Sequence, residues 1–229
     1  MDYTDTILPN QRLLKKFYKD SNYYSDLYKA VIKTSRFVEP NKKFKLVKHH
    51  RVDYKIMGSN PVSLQFISFL IKLLRPKKIL EIGTFIGISA MEFSSSSSKE
   101  TKIYTLEKFD EFADIALKNF SVNNFKNIKL IRGDANKNIQ NLKDQFDFIF
   151  LDGNKENYLS LYKKALKKLS KNGILLVDNI LNQGDVLNKK AKTEKGNGVK
   201  RLLKYVETQK KISSTLIPFY DGILLIKKN

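Results

Sequence analysis

The 229-residue sequence predicts an α/β fold: a mostly parallel sheet, an antiparallel hairpin at its C-terminal end, and a helical extension in front. Three observations predict it. From Lys78 onward, five short apolar runs are separated by helix-length segments, which is the pattern of βα repeats. Two further runs are separated only by Phe219-Tyr220-Asp221, a connection suited to a hairpin. The first run, Lys78–Ile82, is followed by Gly83 and Gly87 and then by Ser89 at a helix start, a turn that lets backbone approach a small ligand.

The elements follow in order. Residues 1–55 read as a basic helical extension, and residues 56–229 as the α/β domain. In the extension, Leu13, Leu14, Phe17, Tyr24, Leu27, Tyr28, Val31 and Ile32 recur at helical spacings and predict two or so amphipathic helices. Glu39-Pro40-Asn41 reads as a break, and the basic Lys42–Arg51 segment follows. Pro61–Leu74 reads as an amphipathic helix, with Ser59-Asn60 as cap candidates and Pro61 in the first turn. The expected strands are Lys78–Ile82, Lys102–Leu106, Ile128–Ile131, Phe146–Leu151, Gly173–Val177, Ser214–Pro218 and Gly222–Ile226. Ser94–Ser98 reads as a loop or a frayed helix end.

Composition excludes several classes. Cysteine is absent, so disulfides and thiolate zinc sites are ruled out, and a cytoplasmic location is expected. No apolar run approaches the ~20 residues of a membrane span, and Asp2 and Asp5 do not suit a secretory leader. The formal net charge of +20 has two readings: a polyanion partner such as RNA, or solvated lysines.

The chemistry is read from the strand ends. In open α/β sheets, ligands bind outside the C-terminal ends of the strands. Glu107 ends the second expected strand and could accept ribose hydroxyls. Asp134-Ala135 follows the third, where an adenine would lie. The Gly-x-x-x-Gly spacing departs from a dinucleotide fingerprint. Asp152 ends the fourth strand, and Asp178-Asn179 the fifth. Together they offer two carboxylates and an amide oxygen, a hard donor set that suits Mg²⁺ or another divalent cation. Taken alone, Asp178-Asn179 reads equally as a turn, and Lys155 as one lysine among many.

Three stretches in order, Glu81–Ser89, Phe148–Tyr158 and Gly173–Asn179, resemble the cation-dependent O-methyltransferases, the catechol and caffeoyl-CoA type. The resemblance covers about residues 55–229. It implies the Rossmann-like class I methyltransferase fold, a seven-stranded sheet, S-adenosylmethionine as methyl donor and a homodimer. It implies that Met57, Glu81, Gly83, Ser89, Glu107, Asp134, Ala135 and Asp152 line the cofactor. It also implies that Asp152, Asp178 and Asn179 hold the metal, and that Lys155 is the general base. The chain departs from the family at Gly153-Asn154, at Ile86 and Ile88, and at Ile180-Leu181-Asn182, where many bacterial relatives carry a Trp. A chelating metal favours an acceptor with two adjacent oxygens. The first expectation is a catechol-like small molecule. The alternative is a wobble 5-hydroxyuridine in tRNA, raised by Tyr23, Tyr24, Tyr28, Lys42, Lys43, Lys45, Lys48 and Arg51. A non-catalytic cofactor- or RNA-binding module is a third reading, disfavoured by the intact Asp152, Lys155, Asp178 and Asn179 set.

Overall fold

The structure is a computed structural model and describes residues 23–35 and 38–229. It divides into two compact units, Met1–Phe37 and Val38–Asn229. In the first, helix α1 (Tyr23–Thr34) is the described element, with Asp26 and Lys29 paired at 2.7 Å on its surface. Leu13, Leu14 and Phe17, expected on a helix, lie outside the described residues. Among the described residues, no helix is long and apolar enough to cross a membrane.

The second unit begins at Val38, upstream of the division expected between residues 55 and 56. Polar side chains of helix α6 (Asp110–Val122) and the residue just after it account for this. Asn119 accepts from the Val47 amide at 2.6 Å and donates to its carbonyl at 3.1 Å. Asn123 does the same for Lys45, at 2.9 and 2.8 Å. The backbone of the Lys45–Val47 strap therefore finds its partners on the domain. Glu39-Pro40-Asn41 is no break. Pro40 opens a short helix α2 (Pro40–Lys43), where its missing N–H costs nothing. After α3 (Tyr54–Met57), helix α4 spans Pro61–Leu74 as expected. The Asn60 side chain accepts from the Val62 amide at 2.9 Å and caps α4.

The seven strands are β1 (Lys78–Ile82), β2 (Lys102–Glu107), β3 (Ile128–Arg132), β4 (Phe146–Leu151), β5 (Leu169–Val177), β6 (Ile212–Ile217) and β7 (Ile223–Lys228). They form one sheet in the order β3-β2-β1-β4-β5-β7-β6. The five strands β1 to β5 pair in parallel; β7 runs antiparallel to both β5 and β6. The chain winds outward from β1 in one direction to β3 and then returns to β4 on the other side, which creates a switch point between β1 and β4. Strand β5 starts earlier than its apolar run, because Leu169 pairs Phe146 before the register shifts and Ile174 pairs Phe148.

Helices α5 (Ile88–Ser96), α7 (Ala135–Asn141), α8 (Tyr158–Lys168) and α9 (Glu194–Glu207) complete the domain with α4 and α6. Helix α5 runs through Ser96, so the first three of the five serines are helical. The sheet is apolar on both faces, as parallel sheets covered by helices require. Leu80, Ile82, Ile149 and Leu151 pack toward α8 and α9, with Tyr158, Tyr162, Val199 and Leu202. Ile79, Phe148, Phe150 and Leu176 pack toward α4 and α5, with Ile67, Ile71, Met91 and Phe93.

Candidate functional site

A cavity of about 440 Å³ opens at the C-terminal ends of the parallel strands. That volume lies within the range of small-molecule sites. Its wall takes Gly83 from the turn after β1, Glu107 from the end of β2, Asp134 and Ala135 after β3, Asp152 and Lys155 after β4, and Asn179 after β5. Met57 and Ser89 complete the expected wall residues that it brings together.

The glycine turn is built for close approach. Gly83 has φ +102°, and a side chain there would collide with the Asp152 carbonyl, so β1 and β4 meet at the cavity floor. Gly87 has φ +87° and begins α5; a Cβ would strike the Phe120 ring. Glu107, expected to hold a ribose, has a second task. Its carboxylate accepts from the amides of Thr84 at 3.2 Å, Phe85 at 2.8 Å and Phe109 at 3.0 Å. It thereby ties the glycine turn to the end of β2 and keeps lone-pair capacity facing the cavity. Asp134 caps α7 by accepting from the Asn136 amide at 2.7 Å.

Two expected residues stand behind the wall rather than on it. Glu81 is fully buried beneath the cavity and is not among the residues that line it. The reason is its position inside β1: its side chain faces the layer of Thr105, whose hydroxyl donates to it. Burial pushes its carboxyl up to about 8, so it is protonated at neutral pH. Asp178 is likewise buried, one residue past the end of β5. It accepts from the Asn179 amide at 2.8 Å, and Tyr158 donates to its carbonyl at 3.0 Å.

Asp152 and Asp178 are strand-end neighbours, because Leu151 pairs Val177 and the Asp178 amide donates to the Leu151 carbonyl at 3.0 Å. Burial raises both carboxyls, and the neighbouring Asp152 charge adds to the effect on Asp178, which is pushed up to about 7. Lys155 Nζ, 3.4 Å from Asp152 Oδ1, opposes the rise. A buried carboxyl and a half-buried one, with one lysine beside them and an amide oxygen next to them, are a donor set that a hard divalent cation fits and would hold ionised.

Sequence reasoning missed part of the wall. Phe85, Phe109 and Phe112 form an aromatic corner, with centroids 4.9 Å apart for Phe85–Phe112 and 5.9 Å for Phe109–Phe112. Phe-x-x-Phe directly after an acidic strand end was the available signal. Lys195 reaches the cavity from the start of α9. Helix α9 approaches so closely that a side chain at Gly198 would collide with the Lys155 carbonyl, and Arg201 donates to the Glu156 carbonyl at 3.1 Å. The turn that carries Lys155 is thus buttressed from behind.

His49, His50 and Glu111 form a second titratable cluster. His49 Nδ1 accepts from the amides of Arg51 and Val52, both at 3.1 Å, so its proton stands on Nε2 and points at Glu111 Oε1, 2.6 Å away. Both ring nitrogens are used by the protein, and the cluster ties the strap to α6.

A family model described as O-methyltransferase matches residues 37–229, one residue ahead of the compact unit. The chain is 28% identical to a protein of Dictyostelium discoideum named "Probable caffeoyl-CoA O-methyltransferase 2", over 96% of this chain and 92% of that protein. It is 29% identical to a catechol O-methyltransferase of Niastella koreensis, over 72% of this chain and 80% of that one. Among solved structures, the SAH-bound methyltransferase PaMTH1 of Podospora anserina superposes with a TM-score of 0.79 at 23% identity, covering 92% of this chain and 97% of that one. An O-methyltransferase from Bacillus cereus in complex with SAH gives 0.71 at 21%, over 95% and 96%.

Proposed function

Because the chain belongs to the O-methyltransferase family, we propose that it carries a methyl group from S-adenosylmethionine to a hydroxyl with an adjacent oxygen, on a catechol-like small molecule. The observation that carries this reading is the convergence of Asp152, Lys155 and Asn179 with the Gly83 turn on one cavity. The glycine turn, Ser89, Glu107 and Asp134-Ala135 make the donor half. Asp152, Asp178 and Asn179 are the residues that would hold Mg²⁺ or a similar cation. When bound, such a cation orients vicinal oxygens and lowers the cost of ionising one of them.

Lys155 is the base of this reading: its amine takes the acceptor's hydroxyl proton, the oxygen forms a bond to the methyl carbon, and the carbon–sulfur bond breaks to leave S-adenosylhomocysteine. Glu107 holds the loop that carries Thr84 and Phe85, so donor binding and loop shape are linked through one carboxylate. Phe85, Phe109 and Phe112 give the wall an apolar section suited to a flat ring. A homodimer accompanies the family resemblance and is tested by light scattering.

The test is label transfer from S-adenosylmethionine in the presence of Mg²⁺, with a panel of catechols and, separately, tRNA containing 5-hydroxyuridine. Label on catechols that EDTA abolishes is the expected result. Label on tRNA alone would move the acceptor to the nucleoside, and activity that survives EDTA would remove the cation from the scheme. Donor bound but no acceptor labelled would leave a binding module.

A further inference from the structure

Asn179 stands in an unusual backbone setting. Its φ is +51°, in the left-handed region, and Asn182 (φ +47°), Gln183 (φ +55°) and Gly184 (φ +81°) follow in the same region. Side chains other than glycine's disfavour this region, asparagine's least, and such a run persists where its surroundings hold it. The bonds within the hook are local ones, Asn182 amide to Asn179 carbonyl at 3.2 Å and Gly184 amide to Leu181 carbonyl at 3.0 Å.

The surroundings that hold it are the turn between β6 and β7. Ile180 donates its amide to the Gly222 carbonyl at 3.0 Å, and Leu181 to the Asp221 carbonyl at 2.8 Å. Gln183 donates to Asp221 Oδ1 at 2.6 Å, the shortest of these bonds and the one of the three that depends on a side chain. The fit is close: Gly222 has φ +78°, and a Cβ there would press on Leu181 and Ile180. Asp221 itself does not line the cavity.

We propose that Asp221 is a positioning residue for Asn179: by accepting the Gln183 amide it locks the left-handed hook against the β6–β7 turn and fixes Asn179 at the cavity wall. The inference rests on the reading of Asn179 as a cation ligand. It makes the hydrogen bond, rather than the negative charge of Asp221, the operative feature. Partners that orient metal ligands in this way are worth about 10–100-fold in affinity.

Two substitutions separate bond from charge. Asp221→Asn keeps an oxygen for Gln183 and removes the charge; Asp221→Ala removes both. The full-length chain is titrated with Mn²⁺ and followed by electron paramagnetic resonance. S-adenosylmethionine binding is measured by calorimetry on the same samples. Asp221→Ala is expected to weaken Mn²⁺ binding about tenfold or more, with donor affinity within about twofold, and Asp221→Asn to stay within about threefold of wild type. Should Asp221→Ala not fold, Asp221→Ser, whose hydroxyl falls one bond short of Gln183, takes its place. Unchanged Mn²⁺ affinity in the Ala or Ser variant overturns the proposal. So does a loss in Asp221→Asn as large as in Asp221→Ala, which would make the charge responsible. A wild-type chain that binds no Mn²⁺ overturns the ligand reading and this inference with it, a result distinct from the other two.

Discussion

At the scale of single residues, Lys155 and Glu81 carry the sharpest expectations. Lys155→Ala should lower kcat by at least about 10²-fold, the contribution typical of a general base, with donor affinity unchanged by calorimetry. A variant that turns over normally would remove Lys155 from the chemistry. Glu81 has a pH signature. Its carboxyl goes from an ordinary 4.5 to about 8 on folding, chiefly through burial. Between those values the folded chain keeps a proton that the unfolded chain has lost, so stability falls as pH rises through that window. Glu81→Gln keeps the shape without the titration. The urea midpoint of the variant should therefore gain on the wild type from pH 5 to pH 8, and midpoints that shift in parallel would refute the buried-acid account. Asp178 has a pH signature toward the proposed cation. Below about 7 its carboxyl is increasingly protonated, so Mg²⁺ affinity should rise with pH through that value. Isothermal titration at pH 6 and pH 8 checks the direction. The wall residues Gly83, Glu107 and Asp152 are legible because each ends or directly follows an apolar run, and Ser89 and Asp134 because they stand at the helix starts beyond. Glu81 stands beneath the wall because alternation along β1 turns that side chain into the layer below, and a motif does not display which way a strand faces. Phe112, Lys195 and Asp221 stayed hidden because only the winding of the chain brings α6, α9 and the β6–β7 turn to the strand ends.

At the scale of elements, local signals and tertiary ones part company. Helix α4 was readable to its ends because Asn60 and Pro61 are chemical start signals, and Asn60 does cap it. Asn60→Ala should cost about 1 kcal/mol, read as a lower urea midpoint with unchanged slope. Helix α5 depends on something no propensity records. Gly87 must reach φ +87° beneath the Phe120 ring. Gly87→Ala should therefore destabilise the domain by about 1–3 kcal/mol and weaken donor binding together with it; a stable variant with normal binding would contradict the close packing. Strand β5 began earlier than its apolar run because Leu169 pairs Phe146 across an irregularity that pattern alone cannot locate. The strap Lys45–Val47 was assigned to the extension because it is basic and polar. Two asparagines on α6 and just after it, 72 and 78 residues away, attach it to the domain.

At the scale of the molecule, fold class and strand order type followed from the alternation of runs and helices, while the distribution of charge did not. Residues 158–211 contain fourteen Lys or Arg and four Asp or Glu, so about half of the +20 excess lies on α8, α9 and the segments beside them. Concentrated like charge opposes the compact state and is relieved by screening. The melting temperature should rise as sodium chloride is raised from about 10 mM to about 150 mM, where the screening length falls to ~8 Å. A flat or falling response would mean the lysines are locally neutralised.

Strand β7 lies between β5 and β6, although it follows both in sequence. As the chain leaves the ribosome, β6 has no lateral partner until residues 223–228 emerge, and the brace on Asn179 from Asp221 and Gly222 forms only with them. The proposed donor half of the cavity, made by β1 to β4, is synthesised well before the brace on Asn179. On the proposed function, a nascent chain would acquire its donor pocket before its cation ligands are braced, and arrest of translation near residue 211 would yield a species with a donor pocket and no fixed Asn179. Ribosome-bound chains of that length, probed for S-adenosylmethionine and Mn²⁺ binding, would show the first and lack the second.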